Sequence, residues 1–227
     1  MKKGDKRKQR KAQDRRAARG RSTGRDRRGA SVRQVLRRAS GYPIMGCWTM
    51  ANWEEVGLTP VLIARRQPDG LVAFGAYVVD LYCLGVKDTF CNVNYTRLRF
   101  YEEVLPRVFS GERPRKITPA LAHELIYGSI EYAGQFGFRP QRDFRDSRYL
   151  LDPADAHPRS TSVEFGHKGK PLYVEGPYDN VQAILRQLAR TAGEGNYNFM
   201  YSIDGQGPPP EDWDEWEEDD WEEEQAP

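Results

Sequence analysis

Two groups of residues in this chain have types and spacings that suit acid–base or phosphoryl-transfer chemistry. The first is an acid within an apolar run, Asp80, followed by Lys87 and Asp88 where that run ends. A carboxylate with a second acid and a base nearby can bind a metal ion or assist phosphodiester hydrolysis. Burying an unpaired carboxylate is costly, so the alternative is that this acid is paired with Lys87, Arg97 or Arg99.

The second group lies on a helix that begins after Thr118. His123, Tyr127 and Glu131 follow one another at intervals of four residues, so they lie along one line of that helix. A histidine near a carboxylate can transfer protons near neutral pH. The same line is also typical of the solvent-exposed side of an amphipathic helix. A phosphodiester hydrolase or nuclease is therefore an alternative hypothesis, and its candidate catalytic residues are Asp80, Lys87, Asp88, His123 and Glu131.

The cysteines and histidines give little support for metal or cofactor chemistry. Cys47, Cys83 and Cys91 lie at least eight residues apart without a C-x-x-C pair, and the histidines are scattered along the chain. Zinc sites built from cysteines usually show close pairs of ligands, so we predict no metal and no cofactor. An odd number of cysteines favours free thiols in a reducing compartment, and we expect a cytoplasmic protein.

The distribution of charge gives the strongest functional signal. The chain has a formal net charge of +2, but residues 1–40 carry +14 and residues 208–227 carry −11. A polycation binds nucleic acid because each neutralised phosphate releases counterions. Without a helix-turn-helix pattern, RNA or the ribosome is favoured over a DNA operator. The predicted nucleic-acid-binding residues are Arg15, Arg16, Arg19, Arg21, Arg25, Arg27, Arg28, Arg33, Arg37 and Arg38, with Lys168 and Lys170 in a later basic turn.

The acidic C-terminal segment contains three tryptophans, Trp213, Trp216 and Trp221. Acidic segments with aromatic residues can dock on basic, apolar grooves of a protein partner. The segment can also fold back on the basic arm and compete with nucleic acid, or simply solubilise the chain. A regulatory or defence protein that acts through this tail is thus a further hypothesis.

Hydrophobic periodicity predicts an α+β fold, with a mixed or antiparallel sheet packed with helices. We predict a disordered basic arm at 1–30, a globular region at 31–207 and a disordered acidic tail at 208–227. An alternative is that the globular region divides into two subdomains, about 31–137 and 160–207. Its predicted elements are a helix from Ser31, strands over 58–66 and 71–84, helices over 93–105 and 118–137, a loop over 139–162, a hairpin around 167–170, a helix after Asn180 and a strand from Tyr197. No apolar run reaches the length of a membrane-spanning helix.

The segment from Val79 to Asp88, which begins in the second predicted strand and runs past its end, has the pattern V-D-x-Y-C-L-G-V-K-D. Together with the Pro68-Asp69-Gly70 turn and the stretch 169–177, it resembles a family of bacterial hypothetical proteins. The resemblance covers roughly residues 32–203. It implies a bacterial, cytosolic origin and carries no implication for mechanism.

Overall fold

The computed structural model describes residues 32–110, 113–158 and 162–201. The predicted arm at 1–30 and tail at 208–227 lie outside the described residues. The helices are α1 (32–37), α2 (Trp53–Val56), α3 (Arg97–Arg99), α4 (Leu105–Val108), α5 (Pro119–His123), α6 (Ser129–Gln135), α7 (Phe144–Ser147) and α8 (Val181–Thr191). The strands are β1 (Ile44–Thr49), β2 (Leu58–Arg66), β3 (Val72–Asp80), β4 (Gly85–Tyr95), β5 (Arg115–Ile117), β6 (Leu172–Val174) and β7 (Asn198–Met200).

The main sheet is antiparallel and has five strands in the order β4-β3-β2-β1-β5. It packs against helices, which confirms the predicted α+β class. Strand β2 matches its prediction at both ends, and the turn that follows it contains Gly70 at a φ of 85°. Only glycine adopts that conformation readily, so the Pro-Asp-Gly sequence closes the β2–β3 hairpin at this point.

Helices cover both faces of the main sheet. Alternate residues of each strand point to opposite sides, and the central strands carry apolar residues on both sides. On one face, Val61 and Ile63 pack against Leu125 and Ile126 of the helical segment that joins α5 to α6. On the other face, Leu62 and Phe74 pack against Phe100 and Val104 in the helical segment between α3 and α4. Both joining segments, Phe100–Val104 and Glu124–Gly128, are π-helical turns.

The second predicted strand was too long, because it ends at Asp80 rather than Leu84. The carboxylate of Asp80 accepts hydrogen bonds from the backbone amides of Tyr82, Cys83 and Leu84 at 2.9, 3.0 and 3.1 Å. An acidic side chain that binds its own following amides stabilises a turn in place of a strand. The chain therefore reverses at this turn, and β4 starts at Gly85, where we had predicted only the end of a strand.

Three further boundaries differ from the predictions. The helix predicted over 93–105 begins only at Arg97, because β4 continues to Tyr95. The predicted loop at 139–162 contains α7 and a 3-10 turn, Arg148–Leu150. The predicted hairpin around 167–170 reduces to a single bridge between His167 and Lys170, since its two arms bind the turn after Asp80 through Gly166 and Leu172.

The C-terminal part of the described chain forms a two-stranded parallel sheet, β6-β7, with α8. Helix α8 begins after Asn180, as predicted, and Asn180 caps it through a hydrogen bond from the Ala183 amide to its Oδ1 at 3.1 Å. Lys87 donates to Asp179 Oδ2 at 2.7 Å and thereby joins β4 to the segment that precedes α8. In the described ranges, none of the helices is long and apolar enough to cross a membrane.

Candidate functional site

A buried arginine, Arg65, organises the polar cluster at one end of the main sheet. Its side chain is 2% exposed although it lies in β2 on the same face as Val61 and Ile63. The guanidinium donates to the Leu150 carbonyl at 2.7 Å and forms an ion pair with Asp152 at 2.5 Å. Such a charge is tolerated in the interior because its donors are bound to acceptors of fixed geometry.

The same guanidinium fixes the segment that follows α1. Its Nη1 atom donates to the carbonyls of Ser40 and Tyr42 at 3.0 and 2.7 Å. Leu36 and Ala39 pack beside Leu150 in a common apolar cluster. Arg65 thus ties the chain after α1 to the segment 150–152, and it holds α1 against the folded protein.

His123 belongs to this cluster, and the prediction that it lies on a solvent-exposed helix face was wrong. Its side chain is only 3% exposed. Nδ1 donates to the Pro119 carbonyl at 2.7 Å, and Nε2 accepts from the Asp152 amide at 2.8 Å, so this network assigns the neutral tautomer with its proton on Nδ1. Burial lowers the pKa of His123. Tyr127 is also partly covered, because its hydroxyl donates to the Asp152 carbonyl at 3.0 Å.

Asp152 and His157 complete the cluster. The carboxylate Oδ2 of Asp152 lies 2.9 Å from His157 Nε2 and 3.8 Å from His123 Nε2, while Oδ1 is bound to Arg65. Burial alone would raise the pKa of Asp152, but hydrogen bonds from His157 and Arg65 outweigh it and the pKa is lowered. The two imidazole rings are 4.5 Å apart between centroids. His157 is 24% exposed, so the cluster reaches the surface through this ring.

This arrangement brings together three potential metal ligands that the sequence left scattered. One ligand atom each from His123, Asp152 and His157 can be chosen so that all three lie within 4.8 Å of one another. A detectable sequence signal did exist for Arg65, since a charge at a buried position of an apolar strand requires partners. The two histidines and Asp152 gave no such signal, because 29 residues separate His123 from Asp152 and only folding brings them together.

The predicted catalytic residues do not converge on one site. Asp80 pairs with Gly85, and a side chain at Gly85 would contact Ala133 of α6. His123 lies ten residues before Ala133, which corresponds to about 15 Å along the helical segment. The other candidates lie away from His123, and each has its own surroundings: Glu131 is exposed, Lys87 binds Asp179, and Asp88 binds the Thr89 amide.

The carboxylate of Asp80 serves the fold of its own turn. Burial raises its pKa against the lowering effect of three backbone hydrogen bonds. Of the three partners that we had predicted for it, Lys87 also lowers this pKa through its charge. The other two are engaged elsewhere, since Arg99 binds Glu103 and Arg97 lies over the Tyr101 ring. The cysteines are equally unsuited to nucleophilic chemistry, because burial raises the pKa of Cys47 to about 12 and of Cys91 to about 11.

Exposed arginines surround the segment that Arg65 fixes. The side chains of Arg33, Arg37 and Arg38 are exposed on and after α1. Arg145 and Arg148 are exposed on α7 and the 3-10 turn after it, and this turn contacts the chain at 39–41. The guanidinium of Arg148 lies 5.4 Å from the centroid of the Tyr149 ring. We call Arg33, Arg37, Arg38, Arg145 and Arg148 the basic face; the acids Asp143 and Asp146 are exposed in the same stretch.

The predicted lysines lie at the opposite end of the main sheet. Lys168 and Lys170 are exposed in the turn that binds Leu81 through Gly166, and Lys170 Nζ donates to the Gly195 carbonyl at 2.8 Å. The basic face packs instead near Ala73, at the start of β3. Eight residues of extended chain correspond to about 26 Å, so the two basic regions are separate. The predicted arginines at 15–28 and the tryptophans Trp213, Trp216 and Trp221 lie outside the described residues.

Comparisons with known proteins do not add a family to this description. No family model, no curated protein and no solved structure matches the chain. The resemblance to bacterial hypothetical proteins therefore stays a prediction.

Proposed function

We propose that this protein binds RNA, through the basic segment at residues 1–40 and the basic face that continues it. No chemical step is part of this proposal. Its setting is the bacterial cytoplasm, where RNA and ribosomes are abundant. The observation that carries it is the anchoring of α1: the +14 segment joins the folded protein beside further exposed arginines.

Anchoring matters because a basic segment and arginines on a folded surface contribute to RNA binding in different ways. A basic segment alone neutralises phosphates with little preference for sequence. Arginines on a folded surface hold part of the RNA in a fixed place, and guanidinium groups stack on bases as well as pairing with phosphates. The guanidinium of Arg148 and the ring of Tyr149 lie side by side near the arginines of α1, and both groups can stack on bases.

The hydrolase hypothesis has less support. Its candidate residues lie along two helical turns and across two strand ends, with their charged groups bound by local partners. A general acid and a general base have to reach one reacting phosphate. We therefore favour RNA binding over phosphodiester hydrolysis as the function of this protein. No catalytic role is proposed for Asp80, Lys87, Asp88, His123 and Glu131.

Neutralising two arginines of α1 tests the role of the basic face. We expect Arg33→Gln with Arg37→Gln to weaken binding of a labelled single-stranded RNA and to reduce the slope of log affinity against log salt by about 1.4, because single strands lose about 0.7 per phosphate contact. The matched control is Arg186→Gln with Arg190→Gln, which removes the same charge from exposed positions four residues apart on α8. Equal losses in the two variants would mean that only net charge matters and that α1 is no interface.

The acidic tail enters the proposal as a competitor of RNA. Its charge of −11 opposes the +14 of residues 1–40, and attraction between exposed charges is strongest at low salt. Removing residues 208–227 is therefore expected to tighten RNA binding at low salt and to have less effect at high salt, measured by fluorescence anisotropy. Unchanged affinity at low salt would instead favour a tail that recruits a protein partner through Trp213, Trp216 and Trp221.

A further inference from the structure

We propose that His123, Asp152 and His157 form a binding site for one divalent first-row transition-metal ion, with Zn²⁺ as the reference ion. Imidazole nitrogens and a carboxylate oxygen are the ligands that such ions take in proteins, in sites that keep a position for water. This inference is independent of RNA binding, because it rests on different side chains.

Two of the three distances between the ligand atoms are close to those that a bound ion requires, and the third, between the two imidazole nitrogens, is no more than 4.8 Å. Zinc–nitrogen and zinc–oxygen bonds of about 2.0–2.2 Å in tetrahedral geometry place ligand atoms about 3.3 Å apart. Asp152 Oδ2 now lies 2.9 Å from His157 Nε2 and 3.8 Å from His123 Nε2. Both distances differ from the required value by about half an ångström, which side-chain rotation can supply.

The surrounding contacts are of the kind that orient metal ligands. A ligating histidine usually donates its second ring N–H to a carbonyl or carboxylate, and His123 Nδ1 donates to the Pro119 carbonyl at 2.7 Å. That bond leaves Nε2 without a proton, so its lone pair, which now accepts from the Asp152 amide, can bind an ion. Arg65 holds Oδ1 of Asp152 and so directs Oδ2 towards the two histidines.

Two existing hydrogen bonds have to break when the ion enters, because the ion binds the same two histidine nitrogens. The Asp152 amide now donates to His123 Nε2, and the ion takes over that lone pair. The ring proton of His157 moves to Nδ1, so that Nε2 can bind the ion in place of its contact with Asp152 Oδ2. The 24% exposure of His157 provides the path from solvent.

Only three histidines occur in the chain, which makes a direct test possible. We would add Zn²⁺ alone to tag-free, ¹⁵N-labelled protein and record the imidazole nitrogens by NMR and the stoichiometry by calorimetry. The expected result is one equivalent bound, with shifts at the rings of His123 and His157 and at the Asp152 amide, and an unchanged His167 ring. No binding at millimolar Zn²⁺, or shifts centred on His167, would overturn the proposal.

Variants provide a second readout. His157→Ala is expected to weaken zinc binding at least about 100-fold, since it removes a direct ligand and even outer contacts of metal sites change affinity 10–100-fold. His167→Ala is the matched control and should bind as the parent chain does. Circular dichroism establishes that each variant is folded, and zinc binding that persists in folded His157→Ala contradicts the site. Because the NMR result needs no variant, it decides the question even if His157→Ala does not fold.

Discussion

Replacing Arg65 with methionine is expected to lower the free energy of unfolding by about 3–5 kcal/mol, the range for removing one partner of a buried ion pair. Methionine fills much of the same volume but donates no hydrogen bond. The carbonyls of Leu150, Ser40 and Tyr42 each lose a donor, and Asp152 loses its cation. Urea unfolding measures the effect as a fall in the midpoint at an unchanged slope.

The neighbouring residue provides the matched control for this result. Arg66 is exposed, and its described contribution to the fold is a backbone hydrogen bond to Pro43 that any side chain permits. Arg66→Met should therefore change stability by no more than about 0.5 kcal/mol. If Arg65→Met costs no more than Arg66→Met, the buried guanidinium does not hold the segments 40–42 and 150–152 together. Arg65→Lys should rescue little, because an ammonium group cannot reproduce the planar set of donors.

The strands and helices that the sequence predicts well are those determined by nearby residues. The β2–β3 hairpin follows from alternating apolar residues and the Pro-Asp-Gly turn, and Thr118 caps α5 as its type and position indicate. Strand β4 was missed because three of its outward positions are polar, Asp88, Asn92 and Asn94, although Phe90 between them is apolar. Within the described residues it pairs with β3 alone. Its identity depends on a partner that composition does not reveal.

The basic face could be predicted from the sequence in part, whereas the polar cluster around Arg65 could not, because it depends on contacts between distant parts of the chain. Arg33, Arg37 and Arg38 follow from the charge of their segment, and their exposure follows from the apolar stripe formed by Val32, Val35, Leu36 and Ala39. The cluster of Arg65, His123, Asp152 and His157 combines a strand, a helix and an irregular segment. Its members are brought together by tertiary packing, so their spacing along the chain contains no signature.

Removing the basic arm is expected to have the largest effect on function. Residues 1–30 contain 14 Lys and Arg, so their loss removes most of the groups that can neutralise phosphates. At about 0.7 per contact for a single strand, a protein that makes 6–10 phosphate contacts loses about 300- to 16,000-fold in affinity between 50 and 200 mM salt. We expect the full chain to show a dependence of this size and the chain 31–227 to show a much shallower one.

We expect the folded part of the chain to supply the remainder of the interaction with RNA. Because α1 and the basic face are still present in the chain 31–227, weak binding should persist at low salt, with a slope set by a few arginines. Adding the Arg33→Gln and Arg37→Gln changes to that shorter chain should abolish most of its remaining RNA binding at low salt. Unchanged circular dichroism would show that these differences come from charge and not from unfolding.

The most direct test of the central claim is the salt dependence of RNA affinity in the full chain and in the chain 31–227, measured with one single-stranded oligonucleotide from 50 to 200 mM salt. We expect a steep slope for the full chain and, for the chain 31–227, a shallow slope together with an affinity at least about 100-fold weaker at 50 mM salt. Equal affinities and equal slopes in the two chains would contradict RNA binding through the basic segment.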